Sequence, residues 1–267
     1  MLFRSGEFCG LGYSASELAG RLDWDAFARA WKTPSEAEAA GNLIADAKKR
    51  LAEAKFSIES WGGIIPAERL EGDSFKVSTR HHATLREDGV GDCAVITFPR
   101  AQTGDCRSLA DFIGDWLGMF VVSAKVPETS GDDYVSLLDR TLANFLADAA
   151  ASKLFEWIST CFWGWRKESD PPSGIAPAPG YPVLPDHSLK REIFHLLDIQ
   201  EDFVKLTSNF MMSPSSSTCA FVIPDPRADY RALGSIGDDQ IAALAEARGF
   251  SVERMKVLLS QSTFPAK

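Results

Sequence analysis

Four prolines fall within nine residues in the stretch Ala176-Pro177-Ala178-Pro179-Gly180-Tyr181-Pro182-Val183-Leu184-Pro185-Asp186-His187. Each proline fixes its own φ angle and removes a backbone donor, so this segment is stiff and makes few main-chain hydrogen bonds. Gly180 is the position at which the chain can turn sharply or let a ligand approach the backbone, and Tyr181 beside it offers a flat ring with a hydroxyl. That combination is the design of a rigid recognition loop. On composition alone, a proline-rich linker between two domains has the same texture.

The rest of the chain must supply a core on which such a loop can rest. At 267 residues it is long enough to bury a substantial one, and 45% apolar with 24% charged residues is the balance of an ordinary globular protein. A net charge of −9 leaves no basic face for nucleic acid or an anionic membrane surface. No apolar run approaches the ~20 residues that span a bilayer, and Met1 to Glu7 lacks the basic-then-apolar order of a signal peptide, which together predict a cytoplasmic protein. Cys9, Cys93, Cys106, Cys161 and Cys219 are odd in number and unpaired in spacing, so they read as free thiols. His81 and His82 are adjacent, and neighbouring side chains on a strand point to opposite faces, which argues against a shared metal ion.

Periodicity predicts alternating helices and short strands without regular βαβ units. Leu18, Leu22, Phe27 and Trp31 can share a helical face, and Ser35 with Glu38 has the spacing of a capping box for a second helix containing Leu43, Ala47 and Leu51. After Gly62-Gly63 the texture becomes one of short extended pieces, including Ser74–Ser78, Cys93–Phe98 and Met119–Val122. The longest predicted helix runs from about Asp133 to Cys161, with Leu138, Leu142, Phe145, Leu146, Ala149 and Trp157 as its buried stripe. Asp186 or Ser188 caps the helix after the proline loop, Thr207–Met212 and Thr218–Ile223 read as two strands joined by a serine-rich turn, and two short helices close the chain, the first stopped by Gly249. The predicted fold is therefore α+β: one domain over residues 1–267, with a mixed, largely antiparallel sheet flanked by helices.

The order Ala-Pro-Gly-Tyr-Pro-x-x-Pro-Asp-His resembles the signature loop of the activation domain of cobalamin-dependent methionine synthase. Leu206-Thr207-Ser208-Asn209-Phe210-Met211-Met212-Ser213-Pro214, Pro226-Arg227-Ala228-Asp229-Tyr230, Leu22-Asp23-Trp24, Leu109-Ala110-Asp111-Phe112 and Phe162-Trp163-Gly164-Trp165 continue the resemblance in order, from about Leu11 to Gln261. The resemblance implies that Asp23 contacts the amino or adenine side of S-adenosylmethionine, that Asp148 and Tyr230 lie against the ligand, and that Ala178 and Gly180 offer backbone contacts to the nucleoside. Tyr181 would meet the corrin. Where the family carries an arginine for the ligand carboxylate, this chain has Ala176, which can make no charged contact. Arg231, Arg166 and Lys167 are the cations available to replace it.

No nucleophile elbow, phosphate-binding glycine loop or metal-ligand cluster accompanies these residues, which fits a component of a methyltransferase rather than a complete enzyme. The resemblance implies a free-standing reactivation subunit that docks on a separate cobalamin-binding methionine synthase or other corrinoid protein. It would support S-adenosylmethionine-dependent remethylation of the cofactor with an electron from a flavodoxin-type donor. The alternative is a corrinoid-protein-binding adaptor of the same fold that has lost S-adenosylmethionine binding with the arginine. Asp23, Asp148, Tyr181 and Tyr230 are expected to converge on one cleft.

Overall fold

The computed structural model describes residues 7–33, 38–78, 93–127 and 132–260. Ser35 of the expected capping box and the His81-His82 pair lie outside them. Among the described residues eight strands form in chain order: β1 (Glu7–Tyr13), β2 (Ser57–Arg69), β3 (Ser74–Ser78), β4 (Cys93–Thr97), β5 (Trp116–Lys125), β6 (Lys205–Leu206), β7 (Met212–Ser213) and β8 (Ser217–Val222). The helices are α1 (Ala15–Leu18), α2 (Trp24–Ala30), α3 (Glu38–Glu53), α4 (Asp133–Trp157), α5 (Leu189–Leu196), α6 (Asp238–Arg248) and α7 (Val252–Ser260).

The main sheet runs β4-β3-β2-β5-β8, with β1 also paired to β2, and every ladder is antiparallel. One edge of β2 serves two partners in succession: β1 opposite Ile58 to Ile64, then β3 opposite Ala67 to Arg69. Strand alternation divides the core in two. Leu117, Met119 and Val121 of β5, with Cys219 and Phe221 of β8, pack on one face against Leu184, Leu189 and Ile193. Phe120, Val122, Ala220 and Val222 face the other way, onto Leu142, Leu146 and Leu154 of α4. Helices therefore cover both faces of the antiparallel sheet, as the alternating pattern predicted.

Three local expectations are corrected. The segment from Leu18 to Trp31 is not one helix: α1 passes into a short 3-10 turn at Ala19–Arg21, and α2 begins afresh after Asp23, whose Oδ1 accepts a hydrogen bond from Ala26 N at 2.8 Å. A good N-cap residue there competes with helix continuation. Gly62 and Gly63 do not precede the extended region but sit inside β2, where a Cβ on Gly63 would lie 2.6 Å from the Phe8 ring. Thr207–Met212 is not a strand. Residues between β6 and β7 form a turn, with Thr207 N donating to Met211 O at 2.8 Å and Phe210 N to Thr207 O at 2.9 Å.

The long helix is capped as its sequence suggests, Asp132 Oδ1 accepting from Tyr134 N and Val135 N at 2.9 and 3.2 Å, and it ends in a π-turn over Ile158–Phe162. Gly249 ends α6 in the left-handed conformation, with φ at 69°. Cys9, Cys106, Cys161 and Cys219 are free thiols. Among the described residues no helix is long and apolar enough to cross a membrane, and no group of three or more His, Cys, Asp or Glu is placed to hold a metal ion.

Candidate functional site

The proline loop is fastened to the outer edge of the sheet. Ile175 and Ile223 exchange both backbone hydrogen bonds at 2.9 Å, and Phe221 N donates to Pro177 O at 3.1 Å, so the start of the loop runs along β8. Three of the donors left between the prolines are used locally. Gly180 N donates to Leu184 O at 2.7 Å, Leu184 N to Tyr181 O at 2.8 Å, and Tyr181 N to Ala178 O at 3.3 Å, which folds residues 178–184 into a tight turn. Pro177, Pro179 and Pro185 are buried, and the tip exposes Tyr181, 63% of whose surface is open to solvent.

Gly180 makes this turn possible. Its φ is 99°, a region that side chains avoid, and an added Cβ would lie 2.4 Å from His187 Cε1 and 2.7 Å from both ring nitrogens. The imidazole thus packs directly beneath the glycine backbone. Lys190, one helical turn on, donates to His187 Nδ1 at 3.1 Å. Burial lowers the His187 pKa to about 4, helped by the nearby Lys190 ammonium, so the ring is neutral at pH 7.

Between this loop, the middle of α4 and the start of β8 lies a cleft of about 650 Å³, within the size range of small-molecule sites. Asn144, Ala147 and Asp148 present one face of α4 to it, at the i, i+3, i+4 spacing of a helix. The opposite wall carries Ala178, Gly180, Tyr181, His187 and Lys190, while Met211, Met212 and the run from Ser215 to Cys219 close the remainder. The Asp148 side chain reaches solvent at the rim. The cleft walls nevertheless desolvate its carboxyl enough to raise the pKa. Cys219 is fully buried behind the wall, which pushes its thiol up to about 12 and leaves it protonated.

The cleft therefore brings together Asp148, Ala178, Gly180 and Tyr181 from the expected set. Ala176 and Tyr230 meet each other at the start of the same loop, Ala176 N donating to Tyr230 Oη at 2.8 Å, with the Ala176 methyl turned to the apolar layer under α4. Ala176, Tyr230, Asp23 and Arg231 are not among the residues lining the cleft, so of the four residues expected to converge there it is lined by Asp148 and Tyr181. The Asp23 carboxylate is committed to capping α2 and lies 3.9 Å from Arg29. Arg231 is held by Asp229 at 2.8 Å and by Asp105 at 3.6 Å. Arg166 donates to Ser159 Oγ at 2.9 Å.

Lys190 and His187 are the ionisable lining groups that sequence reasoning did not place in the site. A signal was present: Lys190, Ile193, Phe194 and Leu197 share the i, i+3, i+4, i+7 spacing that marks the buried face of α5. A lysine on that face is out of place unless something in the interior uses its charge.

Residues 14–249 match the family described as "Vitamin B12 dependent methionine synthase, activation domain". A solved structure described as the MetH reactivation domain bound to AdoHcy is similar at 27% identity and a TM-score of 0.83, over 97% of this chain and 91% of that one. The antiparallel sheet, the Pro-Gly-Tyr loop lying along its edge and a family match over most of the sequence agree: the chain belongs to the activation-domain family of vitamin B12-dependent methionine synthase.

Proposed function

We propose that this protein reactivates a cobalamin cofactor held by a separate partner protein, binding an adenosylmethionine-type ligand in the cleft between α4 and the Pro-Gly-Tyr loop. The observation that carries the reading is the cleft itself, in a chain whose similar solved structure is bound to AdoHcy. Its donor set suits such a molecule. Asp148 offers a carboxylate to an ammonium or sulfonium group, Ala147, Met211 and Met212 supply apolar walls, and Ala178 and Gly180 of the loop line the side where a nucleoside would lie.

The chemistry supplied by the ligand and by cobalamin is an activated methyl group and a nucleophilic metal centre, so the task left to the protein is positional. The loop performs it by stiffness. Tyr181 and Met211, both exposed at the cleft mouth, form an apolar rim against which a flat cofactor on the partner can rest, excluding water from the methyl group. The electron would come from a flavodoxin-type donor in the cytoplasm, and the chain acts as one domain.

A second reading, an adaptor of the same fold that docks without adenosylmethionine, is favoured by one observation: Ala176 puts a methyl group into an apolar layer where the family resemblance has an arginine. Mixing the protein with a cobalamin-loaded methionine synthase in the cob(II)alamin state, a reductant and S-adenosylmethionine separates the two. Reactivation reads out as return of the methylcobalamin absorbance. Recovery that depends on S-adenosylmethionine supports the first reading; complex formation without recovery supports the second; neither recovery nor complex formation rejects both.

A further inference from the structure

Lys190 is the second residue of α5, and its side chain is only 6% exposed although it lines the cleft. Lysines are almost never buried to this degree without a counter-charge. Here the ammonium has one side-chain partner, His187 Nδ1. Donation from lysine requires a lone pair on Nδ1, which places the imidazole proton on Nε2 and makes the ring a neutral acceptor. The buried Cys219 thiol is neutral too. Desolvation weakens the hold of Lys190 on its proton and outweighs the opposing influence of Cys219.

Across the same cleft Asp148 stands at the exposed rim, partly desolvated by the cleft walls. Its carboxyl is desolvated, and no cation contributes to its titration. The two side chains line one cavity and do not pair with each other. A cleft that presents an uncompensated positive charge on one wall and an uncompensated negative charge on another is complementary to a zwitterion of the α-amino-acid type.

Resting on the reading that the cleft takes an adenosylmethionine-class ligand, we propose that Lys190 is its carboxylate anchor and Asp148 the partner of its ammonium. Ala176 contributes no charge, and Arg231 is already held by two carboxylates, so the anchoring role falls to a residue from α5 rather than from the loop. Lys190 then has two tasks that share one geometry. It holds the His187 ring under Gly180 through one proton and presents its others to the ligand.

The test is calorimetric titration of the unmodified protein and Lys190→Met with two probes: S-adenosylhomocysteine, and its decarboxylated analogue, which keeps the nucleoside, thioether and amine. Lys190→Met should weaken S-adenosylhomocysteine binding by roughly 10- to 100-fold, the worth of one charged hydrogen bond, and the analogue by less than about 3-fold. Equal loss for both probes, or no loss for either, overturns the anchor and leaves the cleft as the binding site. Should Lys190→Met not fold, the unmodified protein still decides: it must bind the decarboxylated analogue roughly 10- to 100-fold more weakly, and equal affinities overturn the assignment. Absence of binding by either probe to the unmodified protein overturns the adenosylmethionine-class reading itself.

Discussion

Arg248→Met should be among the most damaging single substitutions in this protein, although residue 248 lies outside the cleft. The Arg248 guanidinium and the Asp186 carboxylate are 3.1 Å apart with side chains 1% and 0% exposed. Arg248 Nη2 also donates to Thr97 O at 2.6 Å and Nε to Ser188 Oγ at 3.3 Å, while Asp186 Oδ1 accepts from Ser188 N and Ser188 Oγ at 2.9 and 2.5 Å. One buried charge pair thus ties the end of α6 to the end of β4 and to the entry of α5, the helix that carries Lys190. Removing the arginine leaves a carboxylate in the interior with only Ser188 to solvate it, a change that typically costs about 3–5 kcal/mol. For a chain of this size that corresponds to a fall in Tm of roughly 6–20 °C. Guanidinium denaturation of the two proteins measures it directly. Asp186→Leu combined with Arg248→Met should cost less than the two single changes added together, because no charge is then orphaned. A loss below about 1 kcal/mol for Arg248→Met, or strict additivity in the double variant, would refute the claim that this pair holds the loop in place.

Gly180→Ala should destabilise by roughly 2–5 kcal/mol, combining a left-handed backbone strained by a side chain with displacement of the His187 ring that lies 2.4 Å from the new carbon. Adding His187→Ala should return part of that loss, and a fully additive pair would show that the two groups do not meet. His187 titrates at about 4 in the fold against 6.5 in the unfolded chain, so folding favours its neutral form. Its contribution is therefore complete above pH 6.5 and fades as pH falls toward 4, reduced in size because the ring is half exposed. His187→Gln should flatten that limb of a stability-against-pH curve, and an unchanged curve would contradict the assignment. Ala176→Arg should raise S-adenosylhomocysteine affinity by less than about tenfold, since Lys190 already supplies the charge; a gain near a hundredfold would show that it does not.

Much of this fold was legible because its signals are local. Strict alternation in Ser74–Ser78 gave β3, and the apolar run at Met119–Val122 lies within the central strand β5. The stripe through Leu138, Leu142 and Leu146 gave α4, and Gly249 marked the end of α6. The proline loop announced a rigid element, and its residue order carried the family. What sequence could not supply were the features set by distant partners. Gly63 looks like punctuation until the Phe8 ring, more than fifty residues earlier, is seen to occupy the space a side chain would need. The break before α2 depends on Asp23 choosing a capping role over a helical one, which periodicity does not register. In the cleft, Asp148 and Tyr181 were named from resemblance, whereas Lys190 was missed because a charged residue is ordinarily assigned to the solvated face of its helix. Its place in line with the apolar face of α5 was the signal, and its burial against His187 shows what that signal meant.

The account stands most directly on whether the cleft between α4 and the loop takes an adenosylmethionine-type ligand. Calorimetric titration of the unmodified protein with S-adenosylhomocysteine, repeated with Asp148→Asn, measures this. The prediction is saturable one-to-one binding in the micromolar range, weakened roughly 10-fold or more by the loss of the Asp148 charge. Heat-silent titration up to millimolar ligand, or binding that Asp148→Asn leaves untouched, would contradict the central claim.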